Sequence, residues 1–308
     1  MSVHNAIRFI RANRKCWTPL AGSTNSVVST ACHKPSILYI VFPASAACRR
    51  FVIFASCFIF IFVCLPVYAA DCQQKRVDAQ LRLDYVIDGD TVALANGDRL
   101  RLIGIDTPEI GYRGNPSQAG AIEARAFLRG LLNRREVYRL SYGVQKQDRH
   151  GRSLGHLFLG DGRNLQALLL SGGYATPLNI PPNIDFADCY KQQVNKAVEA
   201  RRGLWKLQQY QTIAAQTLTG REKGYRIIYG KISHIGNSPS SIWLNMSKDL
   251  AIRIKRDDLR YFPELEPEAL PGRFVQVRGM LYRRNSQLRL RLRHDTDLLL
   301  PGDSTKLN

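Results

Sequence analysis

The chain has 308 residues, 45% of them hydrophobic and 22% charged. That composition excludes a disordered or fibrous polymer and leaves room for about two domains. Forty-four Lys and Arg against 25 Asp and Glu give a net charge of +19, which points to a polyanionic partner, nucleic acid or an anionic membrane surface. Seven cysteines are too few for a disulfide scaffold, and no CxxC pair or His/Cys cluster has zinc-ligand spacing.

The first 70 residues hold seven basic side chains and no Asp or Glu, a bias that belongs to targeting segments. Arg49 and Arg50 precede an apolar run from Phe51 to Val67, and Val67-Tyr68-Ala69 puts small residues at the −3 and −1 positions of a cut site. Residues 1–69 therefore read as an N-terminal extension and secretory signal peptide cleaved after Ala69. An uncleaved anchor is an alternative, because the run approaches the ~17–20 residues that span a bilayer. An Arg-rich transit peptide is a third reading. The expected location is secreted or periplasmic, or membrane-anchored if the run is retained. Cleavage leaves 37 basic and 25 acidic residues and two cysteines, Cys72 and Cys189. In an oxidising compartment these two can pair.

Residues 70–80 are polar and read as a tether. Leu81, Leu83, Tyr85 and Ile87 alternate with mostly polar neighbours, and Asp88-Gly89 makes a turn. Val92 and Leu94 continue to the hairpin signal Asn96-Gly97-Asp98, and Arg99 to Ile105 is a third strand. Gln118 to Leu132 has helical spacing, Val137 to Tyr142 and Leu154 to Leu159 are strands, and Leu165 to Leu170 is a short helix stopped by Gly172-Gly173. Ala187 to Gly203 is a third helix, with Trp205 packing behind it. The fold class is mainly β with helices (α+β): a five-stranded OB-type barrel with three helices over residues 80–206. Residues 207–224 read as a polar linker. Five more strands follow, Tyr225 to Ile232, Ser241 to Met246, Leu250 to Ile254, Phe274 to Leu281 and Leu288 to Arg293. With one long connection, Lys255 to Gly272, they suit a second small OB-like barrel over residues 225–301.

Three clusters in the first barrel carry chemistry. In Ile87-Asp88-Gly89-Asp90-Thr91 two carboxylates flank a glycine, which suits a hard cation or a solvated Asp-Gly turn. Asp106-Thr107-Pro108-Glu109 is either part of a site or a helix start with N-cap, Pro and an early acid. Arg101 and Asp106 are five apart, so they share a site only if the strand ends or bulges near Gly104. Asp148-Arg149-His150-Gly151-Arg152 is either a basic surface turn or a loop that aims a guanidinium at a phosphate. Phosphodiester hydrolysis needs fixed positive charge at the phosphate, a metal or base to activate water, and a positioned nucleophile. Together these clusters supply two Asp, a Glu and two Arg for those roles.

Ile87-Asp88-Gly89-Asp90-Thr91, the run from Arg101 to Asp106-Thr107-Pro108-Glu109, and Asp148 to Arg152 resemble the staphylococcal nuclease (thermonuclease) family in order and spacing. Arg201-Arg202-Gly203-Leu204-Trp205 resembles the end of that family's last helix. The resemblance implies an OB-type barrel and calcium-dependent hydrolysis of DNA and RNA, leaving 3′-phosphate ends. It implies that Asp90, Asp106 and the Thr107 carbonyl are Ca2+ ligands, with Asp88 nearby. Glu109 is then the residue that orients or deprotonates water, and Arg101 and Arg152 are the phosphate clamps. One departure concerns two tyrosines that help bind the nucleotide in that family. Asn179 and Pro181 stand at the nearest positions here, and the loop Thr176 to Asp185 lacks Tyr and Trp.

Residues 221–308 carry 17 basic and 10 acidic residues. Arg289, Arg291 and Arg293 alternate with Leu288, Leu290 and Leu292, so they form either a phosphate-tracking stripe or a solvated strand face. With Arg149 they are the candidate nucleic-acid contacts outside the clamp. The leading expectation is an exported, calcium-dependent nuclease acting on DNA or RNA. Its rivals are a non-cleaving nucleic-acid-binding protein on the same scaffold and a membrane-anchored surface protein.

Overall fold

The structure, a computed structural model, describes residues 72–300. The signal segment, its cleavage after Ala69 and the anchor alternative lie outside the described residues.

The first sheet is built from β1 (Ala79–Leu81), β2 (Leu83–Val86), β3 (Thr91–Leu94), β4 (Arg99–Leu102), β6 (Tyr138–Gln147) and β7 (Ser153–Phe158), in the order β1-β6-β7-β4-β3-β2. Only Arg82 separates β1 from β2, so the two edges of the sheet are halves of one bent strand and the sheet curls back on itself. One pair, β4 with β7, is parallel. This is the expected OB-type barrel, with three helices over it: α1 (Ala121–Leu131), α2 (Leu165–Ser171) and α3 (Ala187–Glu199). The Asn164 side chain caps α2 by accepting from Ala167 N–H at 3.0 Å. Leu100, Leu102, Leu140, Leu157 and Leu169 are fully buried between barrel and helices.

The predicted strand from Arg99 to Ile105 breaks after Leu102. Gly104 lies at φ +83°, and a Cβ there would stand 2.5 Å from the Tyr190 ring. A glycine is therefore required at the bend. Beyond it β5 (Gly104–Asp106) leaves the barrel and pairs with β8 (Thr176–Leu178), which places Asp106 opposite Thr176.

The second sheet comprises β9 (Thr212–Ala214), β10 (Gly224–Lys231), β11 (His234–Ser238), β12 (Ser241–Ser247), β13 (Leu250–Lys255), β14 (Phe274–Arg284), β15 (Gln287–Leu292) and β16 (Leu298–Leu299). Its path is β11-β12-β13-β15-β14-β10-β9, with β16 on β14. All five expected strands are present. Two residues separate β10 from β11, so a bent strand runs from one end of the path to the strand next to its other end, which β9 occupies, and β13 with β15 is again a parallel pair. Ile228, Leu244, Ile252, Ile254, Val275 and Val277 fill its interior.

Two segments read as connectors are built into the fold. The tether at 70–80 is pinned: Cys72 is buried and bonded to Cys189 of α3, with Cα atoms 5.6 Å apart. Asp78 N–H donates to Leu140 O at 2.9 Å. The 207–224 segment carries β9, which pairs in parallel with β10. It also carries buried Tyr210, whose ring centroid lies 5.9 Å from that of Trp205 and 6.0 Å from that of Tyr225. Polar composition hid these few anchors.

The disulfide spans 117 residues, and in the chain-entropy description closing so long a loop stabilises by about 5 kcal/mol. Denaturant titration with and without reductant should show a loss of that order, with the helical signal of α3 lost in the same transition.

Behind β5 and β8 sits a buried polar network. Gln166 Nε2 donates to Gly155 O at 3.0 Å, Gln166 Oε1 accepts from Leu157 N–H at 3.1 Å, and His156 Nδ1 lies 2.8 Å from the Tyr190 hydroxyl. Burial holds the His156 imidazole down at about 3. The unfolded chain therefore binds the extra proton first, and stability falls as pH drops below about 6.5. Between pH 7 and 5 this group alone should cost about 2 kcal/mol. Denaturant midpoints at the two pH values should converge in His156→Gln relative to the parent.

Candidate active site

Asp88 and Gly89 turn the chain between β2 and β3. Asp88 Oδ1 accepts from Asp90 N–H at 3.1 Å, so Asp88 is the turn residue of the Asp-Gly reading. A Cβ on Gly89 would stand 2.6 Å from Thr107 Oγ1, so the turn packs directly on the Thr107 segment. Asp90 is not solvated: it is 1% exposed. Its Oδ2 accepts from Thr107 N–H and Oγ1–H at 2.9 and 3.1 Å, and its Oδ1 accepts from Thr91 Oγ1–H at 3.1 Å and from Arg101 Nη1.

Arg101 Nη2 donates to Asp106 Oδ1 at 2.8 Å, so one guanidinium bridges Asp90 and Asp106. The break at Gly104 is what allows this despite the five-residue spacing. No helix starts at Asp106-Thr107-Pro108-Glu109; α1 begins at Ala121 behind Gly120. Glu109 is left exposed, with its backbone tied to Gln118.

The third cluster is a turn with a purpose. Asp148 Oδ1 accepts from the N–H groups of His150 and Arg152 at 2.8 and 3.0 Å, and Oδ2 accepts from Arg152 Nε at 2.7 Å. Among the described residues the Nη atoms of Arg152 make no hydrogen bond, so the fork is oriented and open. Sequence reasoning gave Asp148 no role. The signal was an acid four residues ahead of an arginine at a turn. It also gave Thr107 only a carbonyl, whereas its amide and hydroxyl hold Asp90.

Electrostatics ties the clusters together. Burial pushes the Asp90 carboxyl up, Arg101 opposes this, and Asp88 and Asp106 add to the push. Partial desolvation by its neighbours raises Glu109 as well, with Asp88 and Asp106 pushing up and Arg101 and Arg152 pulling down. Glu109 thus feels both acids and both arginines of the predicted site. Arg101, Arg149 and Arg152 line one cavity of about 500 Å3.

A family model described as "Staphylococcal nuclease homologue" matches residues 99–207. The chain is 32% identical over 123 residues to "Thermonuclease" of Staphylococcus hyicus, covering 39% of this chain and 72% of that protein. The chain belongs to the staphylococcal nuclease family. It is a nuclease-class hydrolase. The Staphylococcus intermedius "Thermonuclease" matches with the same identity and coverage. "Endonuclease YncB" of Bacillus subtilis is 28% identical over 144 residues, covering 46% of this chain and 67% of that protein. The family model ends before the second barrel begins.

Calcium ligation is the family's expectation for Asp90, Asp106 and Thr107. Among the described residues no three Asp, Glu, His or Cys side chains converge at metal-binding distance, because Arg101 stands between the two acids. The donors fit a hard cation in kind: all are oxygens, and Asp90 is buried beside further acids that disfavour its charge.

In the second barrel the three arginines do alternate with buried leucines, yet they have separate fates. Arg289 lies over the Trp243 ring at 4.8 Å, and Arg291 is paired with Asp258 at 2.6 Å. Arg293 reaches the cavity that holds Arg101 and Arg152.

Asp90→Ala removes the acceptor for four donors and leaves Arg101 half-paired. Breaking a buried pair in this way should cost about 3–5 kcal/mol, read as a drop in unfolding free energy without added metal. Asp90→Asn should cost less.

Proposed function

We propose that the protein is an exported, calcium-dependent nuclease that hydrolyses DNA or RNA phosphodiesters and leaves 3′-phosphate ends. The observation that carries this reading is Glu109, an exposed carboxylate under the joint influence of Asp88, Asp106, Arg101 and Arg152. An acid held above its ordinary value by partial desolvation and neighbouring acids, and under the pull of two guanidinium groups, suits a general base working on an anionic ester. Export is supported by the acid-free leader and by the Cys72–Cys189 bond, which belongs to oxidising compartments.

Asp90, Asp106 and the Thr107 carbonyl would hold calcium, which when bound supplies positive charge at the phosphate. Glu109 takes a proton from the attacking water. Water oxygen bonds to phosphorus as the P–O5′ bond breaks, and the leaving oxygen is protonated from solvent. Arg152, oriented by Asp148, presents both Nη atoms to the phosphate oxygens on which charge grows. Arg101 bridges Asp90 and Asp106; were those acids to hold calcium, its fork would be available to a phosphate.

Turnover of a defined oligonucleotide across a calcium titration tests this. Glu109→Gln and Arg152→Lys should each lose about 10²–10³ in rate, with no rescue by added calcium. Asp106→Asn should instead raise the calcium requirement, because it weakens a ligand to a hard cation. Wild-type binding without calcium-dependent cleavage would favour the non-cleaving rival.

A further inference from the structure

The outward face of the second barrel holds two arginines that the protein fixes in place and does not neutralise. The strand register sets Trp243 of β12 opposite Arg253 of β13, and Tyr282 of β14 opposite Arg289 of β15. On β13 the partner of Arg289 is Ala251, two residues from Arg253. Residues paired in register share a face of the sheet. Leu244, Ile252 and Leu290 alternate with them and fill the core, so Trp243, Arg253, Tyr282 and Arg289 all point away from it.

Both guanidinium groups lie on one indole. Arg289 stands 4.8 Å and Arg253 5.4 Å from the Trp243 ring centroid, inside the ~6 Å reach of a cation–π contact. One hydrogen bond turns each of them further. Arg253 Nε donates to Oγ of the fully buried Ser241 at 2.8 Å, and Arg289 Nε donates to Gln287 Oε1 at 3.0 Å. Ring and Nε together set the direction of each fork. Among the described residues the Nη atoms of both make no hydrogen bond, and neither arginine pairs with an Asp or Glu. Arg291, the next member of the stripe, is the contrast, because Asp258 neutralises it at 2.6 Å.

Holding a long side chain in one geometry costs rotamer entropy, and here no ion pair offsets that cost. Two oriented, unpaired forks side by side are arranged for an anion from outside, and the fork matches a phosphate. Tyr282 adds an aromatic face. It is 37% exposed and makes no hydrogen bond among the described residues. Cations that track a backbone beside a ring that can stack a base suit an unpaired strand; a duplex hides its base faces. The excess of 17 basic over 10 acidic residues in 221–308 has the matching sign. Arg253 and Tyr282 also line the cleft whose other wall carries Asp106, so this face borders the candidate active site.

Resting on the nuclease reading for the kind of polyanion, we propose that the outward face of β12, β13, β15 and β14 is a holding site for single-stranded polynucleotide, separate from the place of cleavage. Arg253 and Arg289, set by Trp243, take backbone phosphates, and Tyr282 stacks a base. The second barrel retains the strand while the first barrel cuts it.

The test is binding of a labelled oligothymidine of about a dozen nucleotides to the full-length protein, followed by anisotropy across a salt series with chelator present. Arg253→Gln and Arg289→Gln should each flatten the log–log salt slope by about 0.7, one phosphate contact on a single strand. Arg289→Lys keeps the charge and loses the fork, so it should weaken binding with the slope unchanged. Tyr282→Ala should weaken binding of the single strand about 5-fold or more, again with the slope unchanged, and leave a blunt duplex unaffected. Tyr282 makes no hydrogen bond or ion pair among the described residues, so this variant should keep the parent's thermal midpoint. Arg273→Gln, at an exposed position ahead of β14, should bind as the parent does. Parental slopes in both glutamine variants, parental affinity in Tyr282→Ala, equal loss on strand and duplex, or no binding by the parent overturns the holding site. Parent cleavage with calcium is assayed in parallel. Cleavage with unaffected variants removes the holding site and keeps the nuclease; lost binding in the variants without parent cleavage does the reverse.

Discussion

The buried carboxylate of Asp90 is the constraint from which the nuclease barrel takes its shape. Each of its oxygens has two donors, from Thr107 on one side and from Thr91 and Arg101 on the other. Its own carbonyl accepts from Leu102 N–H at 2.8 Å. A charge at this depth persists only if it is fully answered. Answering it ties the start of β3 to β4 and to the chain leaving β5. The same ties draw Arg101 between the acids and deliver Asp106 and Glu109 to one rim. The candidate site is thus assembled by the folding of the barrel itself.

The two barrels share one plan. Each has a bent strand, β1–β2 and β10–β11, and a parallel pair two strands further along the chain from it, β4 with β7 and β13 with β15; the second sheet adds β9, parallel to β10, beyond its bent strand. The sequence shows no repeat, because this plan is fixed by strand order and burial alternation rather than by particular side chains. What differs is what hangs on it. The first barrel carries three helices and the acids; the second carries short turns of 3₁₀ helix and arginines.

The site was legible in the sequence where its logic is local. Asp88, Gly89 and Asp90 make one turn, Asp148 to Arg152 another, and Gly104 marked the break that lets Arg101 meet Asp106. It was not legible where partners are distant. The polar start of the fold gave no sign that β1 would pair with β6, and β8 was too short to stand out until it paired with β5. Thr107 read as a helix cap because nothing nearby in sequence names Asp90 as its partner. Arg293 read as one member of a stripe; that it lines the cavity of Arg101 and Arg152 depends on residues more than 140 positions away in the chain.

The packing of Tyr225 and Ile227 has a consequence for how this chain can be cut. Both belong to the core that also buries Trp205, Tyr210 and Leu170, although they lie on β10 of the second barrel. A protein ending at residue 207, where the family model stops, would bare that core and free the Asn179 amide from Thr296. The second barrel is thus not a passenger that could be shed or exchanged at the family's usual boundary. Any natural shortening or swapping of this gene product must break inside the second barrel's first strand or rebuild the nuclease core.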